Sequence, residues 1–305
     1  MKAFFRKILF GDIPVREYST ITVNDIREKV FLLAGKARID ISSRHWLLCL
    51  QPVVFAVWVT DAEEINAVEQ SEACKIHFND NDRTVAIVQL SVTGSIKEKE
   101  GILYLLTLQK SRISHIGFIK TWLLFNRYYK KPNQPFDKLK AFASAYSYPR
   151  KVRIVSFRSA DHFNIFPMDL VGDIAGSNRF VFGLRHTNVT LAHLISTKKV
   201  VISEVPFTYK DIIYKLGKHH SQPLSANSLP FATIHSRSFG FPVPVWANSY
   251  KEISIIKTID LGSHMLLWGE VIAEEKLTES AGHLFHIHFL HYLHQKNKGH
   301  EYPLV

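Results

Sequence analysis

The segment that most restricts what this chain can fold into is residues 163–190, FNIFPMDLVGDIAGSNRFVFGLRHTNVT. It sets an apolar strand, a turn, a second apolar strand and a polar loop in immediate succession. Pro167 cannot donate to a strand ladder, which points to an edge, a bulge or a place where a ligand comes close to backbone. Asp173, Gly176, Ser177 and Asn178 supply turn chemistry, and RFVFGL returns as a strand of branched and aromatic side chains. Arg185, His186, Thr187, Asn188 and Thr190 follow at once, just ahead of the helical pattern LAHLI. A loop of that composition can hold a phosphate, because charge-assisted bonds from Arg and the free N–H groups of a helix start both favour an anion.

At 305 residues, 46% hydrophobic and 21% charged, the chain can bury a full core in one large or two medium domains, and disorder is not expected. Its two cysteines, Cys49 and Cys74, stand beside apolar segments. A secreted scaffold carries more, so two buried thiols in a reducing compartment are expected. The opening MKAFFRKILFGDIP places Arg6 and Lys7 inside its apolar run and so lacks the core of a signal peptide. No stretch approaches the ~18 unbroken apolar residues of a membrane span. These features predict a cytoplasmic protein with no membrane partner. The net charge of +11 is concentrated in the first half, where residues 1–150 hold 22 Lys or Arg against 15 Asp or Glu. Such a field favours anionic ligands, nucleotides included.

In chain order, residues 1–20 read as an arm. Thr22 or Asn24 can cap a helix over NDIREKVFLLAGK that Gly35 ends, and residues 37–43 read as extended. The most apolar segment, HWLLCLQPVVFAVWV at residues 45–59, is broken at Pro52 and predicts two buried strands. Trp46 and Trp58 belong to the core on this pattern. TDAEEINAVEQ predicts a helix, while KIHF, TVAIVQLSVTGSI and GILYLLTLQKSRI predict strands. In HIGFIKTWLLFNRYYKK the apolar residues recur at helical spacing. Residues 101–136 contain six Lys or Arg and no acid. Arg127, Tyr128, Tyr129, Lys130 and Lys131 would make a nucleic-acid or membrane face, but a partly buried helix with a solvated basic end explains them more simply. KKPNQPFDKLK, residues 130–140, reads as a linker and divides the chain into an α+β domain, 1–147, and a second domain, 148–305. There YPRKVRIVSFRS and STKKVVISEVPF predict strands, TYKDIIYKLGKHH a helix, and YKEISIIKTI with MLLWGEVI an antiparallel pair turned at residues 260–263. Beyond Gly282 come His283, His286, His288, His291, His294 and His300. With Glu301 as their one acidic neighbour they predict a docked helix, and no metal site is expected.

Four pieces, FNIFPMD, FVFGLRHTNVTLAHL, TKKVVISEV and DLGSHMLLWGEVI, resemble in order and spacing the flavin reductase-like, FMN-binding split-barrel proteins, over about residues 148–275. The resemblance implies a mainly β chain with helices (α+β). Its C-terminal half would be an FMN-binding split β-barrel and its N-terminal half a second, degenerate split-barrel-like unit. Such barrels commonly dimerise with flavin at the seam, which implies a homodimer or an internal pseudo-dimer. FMN is the implied cofactor, FAD the alternative, and NAD(P)H the electron donor. Carried onto this sequence, Asn164, Phe166, Pro167, Met168 and Asp169 border the ring. Arg185, with His186, Thr187, Asn188 and Thr190, grips the phosphate in place of the usual Lys-Asp-Thr-type loop. His264, from the Gly-x-His, faces the flavin as the catalytic residue. The implied function is that of an NAD(P)H-dependent flavin reductase or a related oxidoreductase. The alternative is a noncatalytic binding module on the same barrel, with the basic patch serving an anionic partner; nucleic acid is the less expected one. No Gly-x-Gly-x-x-Gly, Walker loop or Gly-x-Ser-x-Gly appears, so Rossmann, P-loop and hydrolase sites have no support.

Overall fold

Alternating and near-continuous apolar runs both become strands here, in two seven-stranded antiparallel sheets. The computed structural model describes residues 2–11, 18–81, 83–128, 135–279, 282–300 and 302–304. After α1 (Lys2–Phe10) and β1 (Tyr18–Val23), the first sheet takes β2 (Lys29–Ala34), β3 (Ala37–Asp40), β4 (His45–Leu50), β5 (Val53–Val59), β6 (Cys74–Asp80), β7 (Arg83–Glu98) and β8 (Gly101–Ile113). Helix α2 (Ala62–Glu69) lies between β5 and β6. Next come α3 (Phe118–Leu123), a π-helical turn (Leu124–Tyr128), α4 (Phe136–Ala145) and β9 (Arg150–Lys151). The second sheet takes β10 (Arg153–Arg158), β11 (Phe163–Met168), β12 (Val171–Asp173), β13 (Arg179–Arg185), β14 (Lys199–Glu204), β17 (Ser249–Asp260) and β18 (His264–Lys276), with α5 (Leu191–Thr197) between β13 and β14. An insertion between β14 and β17 holds α6 (Lys210–Lys215) and the hairpin β15 (Thr233–His235) and β16 (Pro242–Pro244). The chain closes with β19 (His283–His288) and α7 (Phe289–Asn297).

The strand orders are β3-β2-β6-β7-β8-β5-β4 and β11-β10-β14-β17-β18-β13-β12. Counted within its own sheet, each reads 2-1-5-6-7-4-3, and each places one helix between its fourth and fifth strands. The N-terminal half is therefore a second unit of the same sheet topology. Each sheet has its own core, one around Phe55 and Phe78 and the other around Phe157, Phe166 and Phe180. A third cluster joins them: Trp46, Leu48 and Trp58 of the first sheet meet Val181, Leu266 and Trp268 of the second. The approach is close enough to require glycine. A Cβ on Gly183 would stand 1.8 Å from the Leu48 carbonyl oxygen, and one on Gly172 would stand 1.6 Å from Trp46 Nε1. The two ends of the chain are tied together, because β1 pairs antiparallel with β19, which also pairs with β9.

Four expectations change. The docked helix expected over the histidine-rich tail begins only at Phe289, because residues 283–288 pair with β1 and β9 as β19. The helix over residues 24–36 is instead the β2–β3 hairpin: Val30, Leu32 and Ala34 alternate into the core, and Gly35, at φ +57°, makes the left-handed turn. Period-two burial outweighs the cap signals there. The linker over 130–140 is partly helix, since α4 begins at Phe136 and buries Leu139, Ala141, Ala143 and Ala145; residues 129–134, with Tyr129, Lys130 and Lys131, lie outside the described residues. The arm over residues 1–20 contains α1 and the start of β1. Among the described residues no helix is long and apolar enough to cross a membrane.

Candidate functional site

Strand β11 is an edge strand, so Pro167 leaves no neighbour without a donor. Where it ends, Pro167, Met168, Asp169 and Leu170 form one wall of a cavity of about 470 Å³, a volume in the range of small-molecule sites. The end of β13 forms the facing wall with Leu184, Arg185, Thr187 and Asn188, and His264 stands beside Arg185 as its ladder partner. Leu50 reaches in from the first sheet. The insertion after β14 covers the space with Tyr214, Gly217, His220 and Ser221, while Tyr18, Tyr146 and His286 close the far end.

Most polar groups in this cavity are committed to one another. Asn188 Oδ1 accepts from the Thr190 N–H at 2.8 Å, and its Nδ2 lies 3.0 Å from His220 Nδ1. His220 Nε2 lies 2.8 Å from the Pro167 carbonyl, which can only accept, so the ring proton sits on Nε2 and Nδ1 accepts from Asn188. Burial, with Arg185 nearby and against the bond to Pro167, pushes the pKa of His220 down and keeps it neutral. Burial, again with Arg185 and then His186, lowers His264 to about 4, so this imidazole is uncharged at neutral pH; its Nδ1 lies 2.8 Å from Ser263 Oγ. Arg185 differs from all of these. It is exposed at the rim and has no partner among the described residues.

At the far end His286 Nδ1 lies 2.9 Å from Asp169 Oδ2, and its Nε2 lies 2.5 Å from Tyr214 Oη, which also meets Thr20 Oγ1. Tyr18 stacks on the same imidazole, with ring centroids 4.9 Å apart. Burial would raise the Asp169 pKa, but hydrogen bonds from His286 and Tyr146 and the Arg150 charge outweigh it and hold the carboxyl below its usual range. Thr20, Tyr214, His286 and Asp169 thus form a hydrogen-bonded line ending in a half-buried carboxylate.

The structure brings Pro167, Met168, Asp169, Arg185, Thr187, Asn188 and His264 together around one cavity. Four expected site residues do not line it. Asn164 is fully buried behind the wall, where Nδ2 donates to Thr190 Oγ1 at 2.7 Å and to the His219 carbonyl at 2.8 Å. Thr190 is that partner, and its N–H donates to Asn188 Oδ1 at 2.8 Å, so its hydroxyl and its N–H are both engaged within the protein. Phe166 lies in the core of the second sheet, and His186 turns to Asp260 at 3.1 Å. Burial explains the first two: an amide and a hydroxyl taken from water satisfy each other. Tyr18, Tyr146, Tyr214, His220 and His286 carried no local sign of a site. Only the histidine-rich composition after Gly282 marked the region that supplies His286. Three other tail histidines serve the packing: His291 Nε2 meets Glu28 at 2.7 Å, His294 Nε2 meets Asp80 at 2.8 Å, and His288 caps α7. Among the described residues no cluster of His, Cys, Asp and Glu could hold a metal ion.

The same ladder position in the first sheet is apolar. Arg185 and His264 are the last pair between strands four and seven of their sheet, and the corresponding pair in the first sheet is Val59 and Ile102. The loop that follows is two residues long instead of five. Asp61 caps α2 by accepting from the Glu63 and Glu64 N–H groups, and those glutamates make the helix start acidic. Asp61, Glu63 and Glu64 would repel an anion there.

No family model matches this sequence, and neither does any curated protein. Solved structures similar to it include the NADH:FAD oxidoreductase SgcE6 of Streptomyces globisporus C-1027, at 16% identity and a TM-score of 0.45 over 51% of this chain and 92% of that one. BorF, the flavin reductase component of a bacterial two-component tryptophan halogenase, follows at 11% and 0.42 over 46% and 88%. An FMN-binding protein from Thermus thermophilus is similar at 21% and 0.37 over 43% and 72%. Overlaps of this extent assign no residue a role.

Proposed function

We propose that the chain is a flavoprotein that holds one FMN, with FAD the alternative, in the cavity between β11 and β13, and that it acts as an NAD(P)H-dependent flavin reductase or a related oxidoreductase. Arg185 carries this reading: an unpartnered guanidinium stands at the rim of a 470 Å³ cavity whose other polar groups are largely committed to one another. Arg185 would hold the phosphate with the Thr187 hydroxyl and Ser221, and residues 167–170 with Leu50 would border the ring. Gly217 leaves that side open, with no atom within 4 Å of where a Cβ would stand. Bound flavin supplies the hydride and electron chemistry. The chain supplies position and electrostatics: a cation at the rim, a neutral His264, and the line from Tyr214 through His286 to Asp169, along which a proton at Tyr214 Oη can be held and replaced.

Two companions belong to the same reading. The domains run 1–147 and 148–305, each carrying one sheet. The setting is the cytoplasm, in keeping with Cys49 and Cys74, which are buried and unbridged. The absorption spectrum of the purified protein, followed by FMN titration read by quenching of flavin fluorescence, tests the proposal. Oxidised flavin bands or saturable quenching at one equivalent are expected; a colourless protein that leaves FMN fluorescence unchanged would refute it.

A further inference from the structure

Leu9 and Phe10 of α1 pack in one apolar cluster with Ile116, Leu124, Phe125, Phe136 and Leu139, so α1, α3 and the start of α4 are rooted in the same corner of the molecule. Their outward side chains are large and apolar. Phe118 is 75% exposed, Ile119 72%, Phe4 65%, Ile8 63%, Phe5 53% and Trp122 49%. Single exposed apolar residues are ordinary, but six on two helices of nine and six residues are not. The chain around them is basic without exception: residues 2–11 contain Lys2, Arg6 and Lys7, residues 101–136 contain six Lys or Arg, and neither segment has an acid. Beside Phe118 lies a second cavity, of about 420 Å³, lined by Arg83, Arg112, Lys140, Ser111 and Thr121 and by no carboxylate. The next acid in sequence, Asp137, is paired with Lys140 at 2.6 Å.

We propose that this corner docks on an anionic phospholipid bilayer. The phenylalanines, isoleucines and Trp122 enter the boundary between headgroups and acyl chains, and Arg112, Lys120 and Arg127, with the cavity behind Phe118, take the lipid phosphates. Interfacial binding needs both parts, an exposed apolar face and bases that meet anionic headgroups. The patch lies on the membrane, not across it. Nucleic acid fits less well, because bases stack on aromatic rings and gain nothing from exposed Ile8 and Ile119. A second copy of the chain would set like charges against each other. The expectation of no membrane partner is revised accordingly. This inference does not depend on flavin.

Vesicle co-sedimentation of the full chain tests it, using phosphatidylcholine vesicles with and without about one third phosphatidylglycerol. Binding to the anionic vesicles is expected, weakening as salt rises, with a blue shift of tryptophan emission that Trp122→Phe diminishes. Phe118→Ser with Ile119→Ser, and separately Arg112→Glu with Lys120→Glu, should each lower partitioning by about tenfold or more. All four positions are exposed, so circular dichroism should match the parent; if one pair fails to fold, the other still decides. Failure of the parent chain to sediment with anionic vesicles overturns the proposal, and so does equal binding of the parent and both variants. Concentration-dependent dimerisation abolished by Phe118→Ser with Ile119→Ser, without vesicle binding, would assign the face to a second copy instead.

Discussion

Arg185 and Asn188 stand three residues apart in one loop and do opposite work. Asn188 spends its amide on Thr190 and His220, whereas Arg185 has no partner among the described residues. Arg185→Ala is therefore expected to raise the FMN dissociation constant about tenfold or more, the scale of one charge-assisted bond at an exposed rim. Riboflavin, which has no phosphate, should bind the variant and the parent alike, and parallel titrations check both. Buried imidazoles set the response to acid, His115 among them, its pKa pushed well down by burial. Burial holds His45 at about 3, and Arg150 adds to it; burial holds His288 at about 3, helped by His291, and His264 at about 4. Unfolded, each takes a proton near pH 6.5, so between pH 6.5 and about 4 the unfolded chain binds more protons and stability falls as pH falls. Each contributes about 1.4 kcal/mol per pH unit in that window. Urea midpoints should hold level above pH 7 and drop steeply below 6. The carboxyls of Asp169 and Glu28, both held low, add a later loss of the same sign once they protonate.

Among the elements, β13 is the most constrained. Its Gly183 faces the Leu48 carbonyl, a backbone atom that cannot turn aside, so Gly183→Ala forces the sheets apart. A loss of at least about 3 kcal/mol is expected in chemical denaturation, at the upper end of what overpacking costs. Gly217→Ala, which meets nothing within 4 Å, should stay within about 0.5 kcal/mol of the parent and serves as the control. The β4–β5 turn docks in the same region. Ser263 donates its N–H to the Gln51 carbonyl at 2.7 Å and its hydroxyl accepts from the Gln51 N–H at 3.1 Å, which fixes the loop just before His264. The first sheet thus positions a site to which it contributes Leu50.

On the scale of the whole molecule, two sheets of one topology use each other to cover the apolar surface around Trp58 and Trp268. Because that face is filled within the chain, the 35.0 kDa protein should run as a monomer in light scattering coupled to size exclusion at low concentration in detergent-free buffer. A fragment of residues 148–305 would expose Val181, Leu266 and Trp268 and lose Tyr18, Leu50 and Tyr146 from the cavity. It is expected to dimerise or aggregate and to bind FMN more weakly than the intact chain; a monomeric fragment of full affinity would show that the first sheet is dispensable to the site.

The sequence by itself determined most of the strands, because the alternation of KIHF, the density of branched residues in VVFAVWV and the turns at Pro52 and Gly262 are local signals that backbone geometry reads directly. It also located the loop with Arg185 and the stretch from Pro167 to Asp169. Only the tertiary structure decided that residues 29–34 are a strand, since a six-residue run is told from a helix by the face it buries. It alone showed that Asn164 and Thr190 satisfy each other in the interior, and that Tyr18, Tyr214 and His286, from three distant segments, close the cavity. Polar groups find their partners through burial, and burial is settled by contacts between residues far apart in the chain, which no local pattern encodes.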